Sequence, residues 1–151
     1  MRLFLIFNLA LCFSFAAKAQ EEAVKLSINQ MFDGMRASNV EMVREVFVEE
    51  PSMFSISLLA DSTQISKGSL EKFLEALGKA ERGSWDERIS FNNIDIDGQL
   101  ASVWTNYAFY YNGEYHHCGV NSFHLVEKKG KWKIFQLADT RRTEDCPELG
   151  N

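Results

Sequence analysis

Residues 110–142, YYNGEYHHCGVNSFHLVEKKGKWKIFQLADTRR, decide the fold. Asn112-Gly113 is a two-residue hairpin signal and Lys129-Gly130 a weaker one, and the runs between them read as strands. A two-residue turn fixes register, and register fixes which side chains share a face. With Tyr111 opposite Glu114, His117 faces Ala108, Gly119 faces Asn106 and Asn121 faces Trp104. With Lys129-Gly130 as the next loop, Leu125 faces Ile134, Phe123 faces Gln136 and Asn121 faces Ala138. One face then carries Trp104, Asn106, His117, Asn121, Phe123 and Gln136. The other carries Tyr107, His116, Cys118, His124, Asp139 and Arg141. Both faces mix apolar and polar residues, which suits a pocket on one side and a partner or second copy on the other.

Upstream, WDERISF alternates with Trp85, Ile89 and Phe91 on one face, and Ile94 and Ile96 then change phase. That predicts a bulge at Asn92-Asn93. Asp97-Gly98 supplies another turn, so a four-strand antiparallel meander spans Trp85 to Thr140. Before it the period is helical. Val24, Ile28, Met31, Phe32 and Met35 form one apolar stripe. Ser38 with Glu41 reads as a capping box for a second helix reaching Phe47, ended by Pro51. MFSISLL predicts a short strand, Met53 to Leu58. SKGSLEKFLEALGKAERG predicts a third helix, with Leu70, Phe73, Leu74 and Leu77 inward and Gly78 as its stop. Helices, one strand, a helix and a long meander make an α+β domain.

The chain of 151 residues opens on Arg2, an apolar run to Ala17, and Ala17-Lys18-Ala19. This is a signal-peptide pattern with cleavage after Ala19, and it is too short for a comfortable membrane span. The organisation expected is a signal peptide at 1–19, one domain at 20–142 and a tail at 143–151. The remaining 132 residues hold 14 basic against 21 acidic side chains. An acidic exported domain without a basic run is a poor partner for nucleic acid, and no membrane anchoring is expected after cleavage. Cys118 and Cys146 survive processing. An oxidising compartment permits a bridge between them that staples the tail to the sheet; the alternative is two free thiols.

The order of helices, the segment KGSLEKFLEALG and the stretch from Ile94 to Arg142, with HCGVNSF, GKWKI and DTRR, resembles the nuclear transport factor 2-like superfamily. The resemblance is nearest to exported bacterial SnoaL-like and "putative lumazine-binding" proteins and covers Glu21 to Arg142. It implies three helices wrapping a strongly curved antiparallel sheet into a cystatin-like cone with an internal cavity. It also implies a homodimer through the outer sheet face. The superfamily holds dehydratases, isomerases, cyclases and non-catalytic binders, so it leaves function open.

His117 is the strongest single candidate for chemistry, as a general base or a ligand-orienting group. Trp104 with Asn106, Asn121 and Gln136 would suit a flat polar ring system. Tyr107, Asp139 and Arg141 are secondary candidates. Asp139 maps to the face opposite His117, where an ion pair with Arg141 or Arg142 is the simpler role. His116 and His117 map to opposite faces, and His116 and His124 stand eight residues apart, so no metal site is expected. No cofactor is expected. The leading expectation is a non-catalytic, exported, dimeric cone that binds a small organic ligand. A dehydratase or isomerase with His117 as base is the first alternative, and an interaction module with a collapsed cavity the second.

Overall fold

The computed structural model describes residues 2–59 and 62–149, with side chains from residue 17 onward except at 58 and 59. Helix α1 spans Arg2–Ala37, α2 Val40–Arg44 and α3 Leu70–Lys79. The strands are β1 Phe47–Leu59, β2 Ser62–Gly68, β3 Trp85–Asp97, β4 Leu100–Tyr111, β5 Glu114–Lys128 and β6 Lys131–Arg141. They form a six-stranded sheet in the order β2-β1-β6-β5-β4-β3. All neighbours are antiparallel except β1 and β6. The architecture is the expected α+β cone, with helices on a curved, mostly antiparallel sheet.

The α1 stripe behaves as its spacing predicts: Val24, Ile28, Met31, Phe32 and Met35 are all buried. They pack on Val103, Phe123, Leu125 and Ile134 of the sheet, and Phe32 meets Phe123 edge-on at 6.2 Å. The segment read as a signal peptide is helical from Arg2 and runs into α1 without a break. Among the described residues no helix is long and apolar enough to cross a membrane.

Several local expectations need correction. Ser38 does not cap α2. It is the left-handed residue that ends α1, with φ 52°, and its N–H donates to Met35 O while that of Asn39 donates to Gly34 O. The cap of α2 is Asn39, whose Oδ1 accepts from the Met42 N–H at 3.1 Å. The helix stops at Arg44, and Phe47 already belongs to β1. Pro51 sits inside β1, within a register shift against β6 between Phe47 and Ser52, where its missing N–H is tolerated. Residues 66–68, expected to open the third helix, belong instead with 62–65 to β2, a hairpin partner of β1. Their polar composition, exposed along its whole length, gave no strand signal. Gly78 lies within α3 rather than beyond it.

The turns hold with one adjustment. Asn112-Gly113 and Lys129-Gly130 have positive φ at both positions, joining Tyr111 to Glu114 and Lys128 to Lys131. The β3–β4 loop is Gly98-Gln99 rather than Asp97-Gly98, because Asp97 pairs with Leu100. The bulge at Asn92 is where the phase change placed it, between Phe91 and Asn93.

Candidate functional site

Two further bulges decide the site. In β5 the register shifts between Phe109 and Tyr110, so His117 pairs with Phe109, Gly119 with Tyr107 and Asn121 with Thr105. Between β5 and β6 Leu125 still faces Ile134, but the register then shifts, so Phe123 pairs with Leu137 and Asn121 with Asp139. The pairings extrapolated from the turns, His117 to Ala108, Asn121 to Trp104 and Phe123 to Gln136, are therefore displaced by one residue. Each one-residue slip exchanges the faces of everything beyond it.

The consequence is a cavity of about 610 Å³ between the sheet, α1 and α3. Met31, Phe32, Met35, Phe73, Trp85, Phe109 and Leu137 supply its apolar wall. Glu87, Tyr107, His117, Asn121, Asp139 and Arg141 supply its polar groups. Of the residues expected at a ligand, His117 and Asn121 line this space, and so do Tyr107, Asp139 and Arg141. Trp104, Asn106 and Gln136 do not line it. Trp104 is 45% exposed, on the outer face of β4, and Asn106 uses its side-chain amide to donate to Glu148 O in the tail at 2.9 Å. Asp139 and His117, expected on opposite faces, share the cavity because the β6 bulge turns Asp139 inward. His116 also lines it, and His116 Nδ1 and His117 Nδ1 stand 2.8 Å apart. The bulge thus brings together two histidines that strict alternation would have separated. His124 is elsewhere, packed against Phe135.

The polar network is anchored from both sides, by α1 on β3 and by β1 on β6. Arg36 at the end of α1 donates to Asp86 Oδ1 at 2.8 Å and to Glu87 O at 3.3 Å. This fixes the strand so that the Glu87 side chain points inward. Its Oε1 accepts from Asn121 Nδ2 at 2.9 Å. On the other side Ser55 Oγ donates to Asp139 Oδ1 at 2.7 Å, and Arg141 Nε donates to Asp139 Oδ2 at 2.6 Å. The Tyr107 hydroxyl reaches across Gly119 to donate to Thr140 O at 2.8 Å. A Cβ at Gly119 would fall 1.9 Å from that same oxygen, so only glycine fits there. Cys118 and Cys146 are bridged, with Cα atoms 5.7 Å apart. The bridge holds the tail against the back of the same strand.

Burial tunes the ionisable groups. Glu87 keeps some exposure, but to the cavity rather than to bulk water. Desolvation pushes its carboxyl up to about 7, against the hydrogen bond from Asn121, and the negative charge of Asp139 adds to the rise. Burial draws His117 down to about 4, helped by the positive charge of Arg141 and by His116. Burial holds the Tyr107 hydroxyl well above its ordinary value. Desolvation works against the Arg141 cation, but the hydrogen bond to Asp139 and the negative charge around it together outweigh that and hold the guanidinium above its ordinary value. At neutral pH His117 is therefore a neutral imidazole, and Glu87 exchanges between acid and carboxylate. Among the described residues no three His, Cys, Asp or Glu side chains converge as metal ligands.

Glu87 is the residue the sequence reading passed over. Its signal was present: it shares the strand face of Trp85, Ile89 and Phe91, so a carboxylate stood on the apolar side of WDERISF.

Comparison with known proteins fits this geometry. Residues 19–137 match the family described as "Putative lumazine-binding". The chain belongs to this family. Solved structures place this lumazine-binding-like domain in the nuclear transport factor 2-like fold. One is a protein of unknown function from Shewanella baltica OS155, 15% identical, covering 83% of this chain and 96% of that one at a TM-score of 0.65. A "Putative Scytalone Dehydratase" from Novosphingobium aromaticivorans DSM 12444 is 18% identical, covering 91% and 95% at 0.65. A domain of unknown function with a cystatin-like fold from Nostoc punctiforme PCC 73102 is 16% identical, covering 84% and 80% at 0.64. At these identities the likeness is one of fold. No curated protein matches the chain.

Proposed function

We propose that the protein is an exported binder of a small, flat organic molecule, held in the cone without being turned over. The observation that carries this reading is the cavity of about 610 Å³, walled by aromatics and carrying a few convergent polar groups. That volume falls within the range of roughly 300–1,000 Å³ common to small-molecule sites. Asn121, Glu87 and His117 would orient the ligand by hydrogen bonds. Met31, Phe32 and Phe73 wall the space rather than fill it, which speaks against a collapsed cavity. Export is supported by the Arg2–Ala19 pattern and by the Cys118–Cys146 bridge, which suits an oxidising compartment. Pairing of two copies through the outer sheet face is part of the same reading, with Trp104 exposed there.

A second reading, proton-transfer catalysis, draws on Glu87 rather than His117. A base works best with a pKa near the operating pH. Glu87 is held at about 7, whereas His117 is held at about 4, and its Nδ1 faces His116. A thermal-shift screen against flavin precursors, aromatic polyketides, sterols and lipids tests the binding reading. A ligand that raises the melting temperature and emerges unchanged supports it, and a screen without any stabilising compound overturns it. Chemical conversion of a hit, lost in Glu87→Gln, would select the catalytic reading instead.

A further inference from the structure

The charges inside the cone are unequally partnered. Its ionisable lining comprises Lys67, Lys72, Arg141, Glu87, Asp139 and the two histidines. Arg141 and Asp139 are joined at 2.6 Å, so they cancel. Glu87 exchanges its proton near neutrality, and His117 is neutral there. His116 is hydrogen-bonded to His117, which leaves Lys67 and Lys72. Neither makes an ion pair or a side-chain hydrogen bond among the described residues, and both are exposed where β2 leads into α3. Two unmatched ammonium groups at the mouth of a cavity stand out in a chain whose net charge is −5.

We propose that the cavity selects aromatic molecules bearing an anionic group, with the rings among Phe32, Phe73, Trp85 and Phe109 and the anion held at the mouth by Lys67 and Lys72. This rests on the binding reading above and adds the chemical class and the orientation. The orientation follows from the partnering of the cations. At the inner end Arg141 is already engaged by Asp139, whereas Lys67 and Lys72 are free to attract an anion to the rim. A cationic ligand gains little from Asp139, because both oxygens of that carboxylate are already engaged, by Arg141 and Ser55. At the inner end the Glu87 acid and the Asn121 amide present hydrogen-bonding groups to a carbonyl or ring nitrogen.

A matched pair of fluorescent probes tests this on the purified protein: anilinonaphthalene sulfonate and its uncharged parent, phenylnaphthylamine. Titrations are run on wild type and on Lys67→Gln/Lys72→Gln. Both lysines are exposed, so the variant retains the fold, and its circular dichroism and melting temperature verify that. The expected result is that the double substitution weakens the sulfonate by about three- to tenfold at low salt and leaves the uncharged parent within about twofold. Raising the salt to about 0.5 M should shrink the wild-type preference toward that of the variant. Equal effects on both probes, or none on the sulfonate, would overturn the charge selection while leaving a neutral-ligand cone intact. Failure of both probes to bind wild type would overturn the binding reading, and this inference with it.

Discussion

The two ends of one sheet face behave differently. Toward the Gly98 and Gly130 turns, Ala101, Val103, Phe123, Leu125 and Ile134 are closed off by Val24 and Ile28 of α1, and none is more than 1% exposed. Toward the Gly113 turn the same strands present Glu87, Tyr107, His117, Asn121 and Asp139 to a cavity. Composition alone does not separate them, since the open end has Trp85, Phe109 and Leu137 among its walls. What divides them is the three bulges, near Asn92, His116 and Phe135. Bulges bend strands and add local twist. Here they bring Asp139 and His116 to the cavity. The dry end supplies packed core, and the bulged end supplies the polar lining of the cavity.

Truncation should break the two ends unequally. Phe123→Ala removes a fully buried ring that meets Phe32 edge-on, and should cost about 3–5 kcal/mol in urea unfolding. Phe109→Ala removes a partly buried ring that already borders open cavity, and should cost less than about 2 kcal/mol. Equal losses would mean that the cavity end is packed core. The boundary itself can be attacked at Gly119. Gly119→Ala places a methyl group against the backbone of Thr140, forces β5 and β6 apart and breaks the Tyr107 bond to Thr140 O. We expect about 2–3 kcal/mol of destabilisation, together with weaker ligand binding, because Asp139 and Arg141 move with that strand.

The dry end was legible because the α1 stripe and the turn residues carry their own geometry. Val24 to Met35 follows the helical period, and Asn112-Gly113 takes the positive φ that its turn requires. The open end was legible only in part. A bulge at Asn92 announces itself by a phase change between Phe91 and Ile94. The one at Phe135 leaves only a faint trace, a change from Trp132 and Ile134 to Leu137 blurred by the apolar Phe135 itself, and the one at His116 leaves none, because Tyr115, His116 and His117 are aromatic on both faces. That is why Trp104, Asn106 and Gln136 mapped inward and Asp139 outward. Strand β2 escaped for another reason: both of its faces meet solvent, so no alternation was selected. Glu87 could have been found from parity alone, as the one acid on an apolar strand face.

The smallest expected effect is the sharpest test of how dry the open end is. Glu87 is raised from 4.5 to about 7, so between those values the folded state binds more protons than the unfolded. Its contribution is fully present below pH 4.5 and is lost as pH rises toward 7. His117 is lowered from 6.5 to about 4, so its contribution runs the other way, present above pH 6.5 and lost as pH falls toward 4. The two slopes oppose each other in nearly the same window, and their sum in the wild-type protein should be close to flat. Each substitution exposes the other group. Relative to wild type, Glu87→Gln should gain stability as pH rises from 4 to 6.5, because only the His117 slope is left. His117→Gln should lose stability as pH rises from 4.5 to 7. Because both groups face cavity water as well as protein, the expected change is about 1–2 kcal/mol across the window, read from urea midpoints. Asp86 and Glu71 are shifted downward, so their contributions fade at lower pH and cancel in the differences. Variant profiles parallel to wild type would mean that water in the cone solvates both groups as bulk solvent does. The polar end would then differ from the dry end in its residues but not in its dielectric environment.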